Sequence, residues 1–282
     1  MNQLSTLANV STRQIVQRTR GDRHGPITRL VSPSDLGNLI KPFVFLDYFE
    51  AEPSIASGFG WHPHSGIATI TFVLSGATSY EDSTGKQGIL PAGGIEWMRA
   101  GGGVWHTGGA ANSTSLMQGF QLWIALPPEQ ELAAAESVYL PPQEVAADGP
   151  VQAILGQYGV AQSAIPAPPS LNYLAVRLKD GDRWRFEPSP EHTVCWVAVQ
   201  SGGLEVGEPI AAGELVVFEE STAAIEFAAK GDTLFILGSA IKHPHNLVLG
   251  NYSVHTSSDA LQKGETEIRR IAKQLQAAGR LK

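Results

Sequence analysis

The chain has 282 residues, enough for two domains of ordinary size or one large β domain. Only 17% of them are charged, while glycine (30) and proline (18) are plentiful, which favours many short strands and tight turns over long helices. The net charge of −7 argues against a broad nucleic-acid footprint, and no direct nucleic-acid partner is expected.

The N-terminus, Met1-Asn2-Gln3-Leu4-Ser5, lacks the basic start and apolar core of a signal peptide. No apolar run approaches the roughly 18 residues of a membrane span, so a cytoplasmic protein without a membrane partner is expected. Strands are predicted at Thr12-Arg13-Gln14-Ile15-Val16, Thr28-Arg29-Leu30-Val31 and Phe43-Val44-Phe45-Leu46. A meander follows over about residues 59–109. Its strand Ile67–Leu74 ends at Ser75-Gly76, and further reversals fall at Ser83-Thr84-Gly85, Leu90-Pro91-Ala92-Gly93-Gly94 and Gly101-Gly102-Gly103.

This meander carries the residues most suited to chemistry. His62 and His64 flank Pro63, and a strand points residues i and i+2 to one face, so both imidazoles can aim at one point. The meander can return His106 beside them, making a three-imidazole metal site. Imidazole suits iron, copper, nickel and zinc, and spacing alone does not choose among them.

An apolar strand, Gly119–Leu126, closes the first unit at Pro127-Pro128. The densest proline region follows, with Pro141-Pro142, Gly149-Pro150 and Pro166-Ala167-Pro168-Pro169, and reads as a connection. A second β unit starts at Leu171 and continues through Trp184-Arg185-Phe186, Thr193–Val199, Gly203–Val206, Glu214–Phe218 and Thr233–Leu237. Its Val197–Val217 stretch repeats the strand and turn rhythm of Thr71–Met98, as an internal duplication would. Cys195, the single cysteine, lies in an apolar run and reads as a buried thiol. In this unit His192 is read as the only histidine, with no HxH pair and no partner, and a metal-free barrel is expected. From Asp259 the pattern turns helical, with Ile268, Ile271, Ala272, Leu275 and Ala278 on one side and Gly279 as the stop.

The runs Gly60-Trp61-His62-Pro63-His64-Ser65-Gly66, Tyr80–Gly85 and Gly93–His106 together resemble the pirins, bicupin members of the cupin superfamily. The flanking Phe43–Phe49 and Gly119–Trp123 agree in order and spacing, whereas the second unit agrees only in strand rhythm and glycines. The resemblance implies an all-β fold of two tandem cupin (jelly-roll type) β-barrels with a short C-terminal helix. Residues 1–126 would form the N-terminal cupin domain with the metal site, 127–170 the connection, 171–258 the metal-free C-terminal cupin domain and 259–282 the helical tail.

It also implies one divalent transition metal, iron first, with copper, nickel, manganese and zinc as alternatives. His62, His64 and His106 would be the ligands. Pirins usually carry a glutamate four residues after the motif, here Ala68, and end the second motif as His-x-Glu, here Gly108. Two lost carboxylates in one pocket would leave a weakly held dication and an open position. Glu81 and Glu96 stand at acidic or polar positions of the family's motifs. Two functional readings follow from the resemblance. One is a quercetinase-type dioxygenase acting on a small aromatic, flavonol-like substrate through a three-histidine site. The alternative is a non-enzymatic, metal-tuned binding or transcription-cofactor-like module with a protein partner, or a degenerate cupin without stable metal. No catalytic residue beyond the metal ligands is assigned.

Overall fold

Strand patterning decides this architecture, because nearly every central strand buries both faces, one inside a barrel and one against the other unit. The computed structural model describes residues 13–52, 59–111, 116–166 and 171–281. Thr12 and the Ala167-Pro168-Pro169 run, both used above, lie outside these residues.

In the first unit a seven-stranded sheet runs Glu136–Leu140, Ile95–Arg99, Ile67–Ser75, Met117–Ala125, Phe43–Ala51, Ile27–Val31 and Asp22–His24. A separate four-stranded sheet runs Phe59–His64, Val104–Ala110, Ala77–Asp82 and Gln87–Pro91. The second unit is a nine-stranded sheet centred on the long strands Val194–Glu205 and Ile225–Ala240. With one 20-residue helix at the C-terminal end, the fold is the all-β bicupin expected.

Alternation along the strands separates the layers. Ala68, Ile70 and Phe72 share one buried cluster with Trp97, Phe120 and Leu122 of neighbouring strands and with Tyr173, Trp196 and Ile236 of the second unit. That cluster joins the two large sheets face to face. The opposite faces line the two interiors, and these differ in kind. The second unit's interior is apolar, with Trp184, Phe218, Phe227, Phe235 and Cys195 in one cluster. Burial there pushes the Cys195 thiol up to about 12. The first unit's interior breaks into small apolar clusters and admits Thr71, Glu96, His64 and His106 between them.

The first and last described elements cross between units. The strand Ile15–Thr19 pairs antiparallel with Leu215–Phe218 of the second unit, anchored by buried Arg13, which donates to the carbonyls of Glu219 and Thr193. The proline-rich connection is itself structured: Glu136–Leu140 pairs with Ile95–Arg99 of the first sheet, and Val151–Leu155 with Leu171–Leu178 of the second. The C-terminal helix, Ser258–Ala277, returns to the first unit, where Trp105 Nε1 donates to the Ile268 carbonyl at 2.9 Å. Its N-cap is Ser257, whose side chain accepts from Ala260 N, so the helix opens one residue before Asp259. Gly279, at φ +70°, closes it: Arg280 N bonds the Leu275 carbonyl and Gly279 N that of Gln276. This turn aims Arg280 back at Glu81, which it grips at 2.8 Å.

Candidate metal centre

Two strands of the four-stranded sheet bring the histidines together. His106 lies directly opposite His62 in the antiparallel ladder, and His64 sits two residues along on the same face. One ring nitrogen from each of His62, His64 and His106 falls within 4.8 Å of the others. The His62 and His106 ring centroids are 4.3 Å apart, and His64 stands 5.1 Å from each.

Each ring is oriented from behind through Nδ1. His62 Nδ1 contacts the Gly60 carbonyl at 2.8 Å, His64 Nδ1 the Tyr252 carbonyl at 3.1 Å, and His106 Nδ1 faces Glu96 Oε1 at 3.6 Å. Nε2 of His64 and of His106 is buried with no hydrogen-bond partner. Orphaned acceptors in a low-dielectric site are costly unless a ligand uses them, so the cluster fits a bound cation. Burial, reinforced by the neighbouring His106, lowers His62 to about 4 and holds His64 well below the usual imidazole range. Both therefore present lone pairs at neutral pH.

The carboxylates are placed differently from the expectation. Ala68 packs in the cluster between the two large sheets, on the strand face opposite Thr69 and Thr71. A glutamate there would point away from the histidines, so its absence is not a loss from this pocket. Gly108 follows a register irregularity after His106, and a Cβ on it would lie 2.9 Å from the Ser79 carbonyl oxygen. Gly108 thus fits a tight backbone approach and does not simply leave space. Glu81 is engaged by Arg280, whereas Glu96 is buried behind His106. Burial pushes the Glu96 carboxyl up, but contacts with His106 and Thr71 outweigh it and hold the group below its ordinary range.

His62 and His64 border a cleft of about 740 Å³ walled by Trp61, Trp123, Phe45 and Tyr252. Phe45 and Trp123 stack at 4.0 Å, and His64 meets the Trp123 edge at 4.9 Å. Arg29 forks onto Asp47 at 2.9 and 3.0 Å along the same wall. Tyr252 comes from the second unit, at φ +69°, a strained backbone for a bulky residue. A buried array beside it holds that loop. Ser65 Oγ lies 2.9 Å from Ser253 Oγ and 2.9 Å from His255 Nε2, and His255 Nδ1 lies 3.1 Å from Glu131 Oε2. Ser65, His255 and Glu131 are 0, 1 and 3% exposed, so this serine–imidazole–carboxylate array is a latch closed to substrate.

Residues outside this cluster were less legible. His192 is a satisfied core histidine, 2.8 Å from Ser239 Oγ. The second unit is not limited to His192: it also contains an HxH pair, His243-Pro244-His245. It follows the strand Ile225–Ala240 in irregular chain, where no strand period aligns two imidazoles, and its rings stand 5.2 Å apart edge to face.

Comparison with known proteins agrees with the architecture. Residues 26–124 match the Pirin family model. A Caulobacter vibrioides "Pirin-like protein" is 36% identical over 110 residues, 38% of this chain and 40% of that one. A Pseudomonas aeruginosa protein named "Putative quercetin 2,3-dioxygenase" is 32% identical over 220 residues, covering 72% of this chain and 77% of its own. Among solved structures, a quercetin 2,3-dioxygenase from Acinetobacter baumannii superposes with a TM-score of 0.84 at 20% identity, covering 92% of this chain and 98% of that one. The Escherichia coli pirin YhhW in complex with nickel(II) gives 0.63 at 21%, covering 82% and 98%. At those identities the structural likeness is one of fold.

Proposed function

The chain belongs to the pirin family, and from that premise we propose that it is a metal-dependent dioxygenase of the quercetinase type acting on a planar, flavonol-like aromatic. The observation that carries this reading is the convergence of three imidazoles, two with orphaned buried Nε2 atoms, beside an aromatic-walled cleft. His62, His64 and His106 would hold a divalent ion, iron first, with copper, nickel, manganese or zinc as alternatives. When bound, such an ion supplies Lewis acidity toward a substrate oxygen and, if redox-active, electronic access to dioxygen.

The protein's own residues supply the rest. Three uncharged ligands favour an anionic oxygen at the open position, because none of them offsets the ion's charge. Trp61, Phe45 and Trp123 give the cleft an apolar wall suited to an aromatic ligand, and Tyr252 flanks its path from the second unit. Half of the Tyr252 surface is covered, which leaves its ring free to meet a ligand. The first unit, proposed as residues 1–126, carries the ion, while the second, 171–258, contributes the loop that frames the cleft.

The test is oxygen uptake by untagged protein loaded in turn with iron(II), nickel(II), copper(II), manganese(II) and zinc(II), with quercetin as substrate. Uptake matching flavonol loss, abolished in His64→Ala, is expected with at least one redox-active ion. Metal bound at the histidines without uptake would instead favour a metal-tuned binding module. One observation favours that second reading: among the described residues the converging ligand group contains no carboxylate.

A further inference from the structure

Among the described residues, Glu96 is the one acidic side chain within 4 Å of a candidate ligand, and its surroundings are specific. It lies on Ile95–Arg99 directly across the ladder from Thr71, whose hydroxyl donates to Oε2 at 2.8 Å. The other oxygen, Oε1, faces His106 Nδ1 at 3.6 Å. The residue is 6% exposed and borders a small inner chamber of about 40 Å³ with Thr71, Thr78, His106 and Gln121. A buried carboxylate is expensive to keep without a partner that accepts its charge. One hydroxyl offsets part of that cost, and the imidazole is the second partner.

The three histidines are therefore not equivalent. His62 and His64 rest on neutral backbone carbonyls, whereas His106 rests on an anion. A carboxylate behind Nδ1 selects the tautomer with the proton on Nδ1, leaving the Nε2 lone pair for an ion, and makes the ring a stronger donor. Nε2 of His106 is the buried, partnerless atom this arrangement requires. The strand face also explains why Glu96 reaches the site while position 68 does not. Glu96 alternates with Ile95 and Trp97, which point into the cluster between the large sheets.

We propose that Glu96 is the positioning residue of the three-histidine centre, orienting His106 through Nδ1 and supplying the site's negative charge from behind the ligand instead of from a coordination position. This inference rests on the reading of the histidines as metal ligands. It leaves the fourth position open while compensating part of the charge that three neutral imidazoles leave on a dication. Thr71 holds the far oxygen and so fixes the direction of the near one.

The test titrates metal-free, untagged protein with cobalt(II) and nickel(II) against a competing chelator, for wild type and the variants Glu96→Gln, Glu96→Ala and His106→Ala. Glu96→Ala is expected to weaken binding about 10–100-fold with one-to-one stoichiometry retained, as loss of an outer partner of a ligating histidine does. Glu96→Gln, which keeps an acceptor oxygen and the volume, should recover part of that loss. In zinc-loaded protein, long-range nitrogen-15 spectra should show His106 protonated on Nδ1 in wild type and a weakened or lost Nδ1–H signal in Glu96→Ala. A purely structural role would not move that signal. Unchanged affinity and an unchanged His106 tautomer in folded Glu96→Ala, with His106→Ala still abolishing binding, overturn the inference alone. Absence of binding by wild type overturns the metal reading beneath it.

Discussion

Gly264 sits in the middle of the C-terminal helix, where helix propensity and packing pull in opposite directions. Replacing it with alanine gains about 1 kcal/mol from propensity, because glycine loses more backbone freedom on helix formation. The added Cβ would lie 2.5 Å from Ser65 Oγ, 2.6 Å from His255 Nε2 and 3.0 Å from His255 Cε1. Neither neighbour can step aside freely, since both are buried and joined to Ser253 and Glu131. Overpacking of this kind costs about 1–3 kcal/mol, and separating a buried hydrogen-bonded pair adds about 1 kcal/mol or more. Packing should win by about 2 kcal/mol, which lowers Tm by roughly 4–8 °C at this chain length. Because Ser65 adjoins His64, the same substitution should weaken cobalt(II) binding. The assay is thermal unfolding of the metal-free protein, followed by metal titration, with Gln262→Ala on the exposed helix face as the control. A Tm at or above that of wild type would refute the reasoning, because propensity would then have outweighed a contact that is not tight.

Other perturbations separate the remaining links. Ala68→Glu should cost several kcal/mol by burying a carboxylate in the cluster between the sheets, without tightening metal binding. A folded variant with higher nickel(II) affinity would contradict the placement of that face. Tyr252→Gly should fold well, since φ +69° suits glycine, and should raise KM for an aromatic substrate while leaving metal affinity within a few-fold. Lost metal binding would mean that the Tyr252 backbone depends on its side chain. Burial, aided by His106 for His62 and by His245 for His243, lowers both to about 4, and burial holds His64 well below the usual imidazole range. The unfolded chain takes up protons near pH 6.5 that the native protein excludes. Their stabilising contribution is therefore full above about pH 6.5 and is lost as pH falls toward 4, at up to about 1.4 kcal/mol per pH unit for each histidine. Urea midpoints of metal-free protein at pH 7.5, 6 and 5 check this, and equal midpoints would contradict it.

Much of the fold was legible because its rules are local. Turn glycines and strand alternation marked the Ile67–Ser75, Met117–Ala125 and Leu171–Leu178 strands to within a few residues. The HxH period on a strand, with a returning meander, brought out His62, His64 and His106 as a group, and the structure places them together. What was not legible depends on which faces meet. Position 68 reads as part of the pocket along the chain, and only sheet packing shows that it faces the second unit. Glu96 becomes a partner of His106 because its strand pairs at Thr71 and faces the smaller sheet, a relation between distant segments. The crossing of Ile15–Thr19 into the second sheet and the Ser65–His255–Glu131 latch are likewise long-range choices that no local period encodes.

Nickel(II) diffused into crystals of the untagged protein, and located by anomalous scattering, puts the central claim to the most direct test. A single strong peak about 2.1 Å from a ring nitrogen of His62, His64 and His106 together, absent in crystals of His106→Ala, is the predicted result. Three imidazoles without a peak between them, or nickel held only at His243 and His245, would contradict the account.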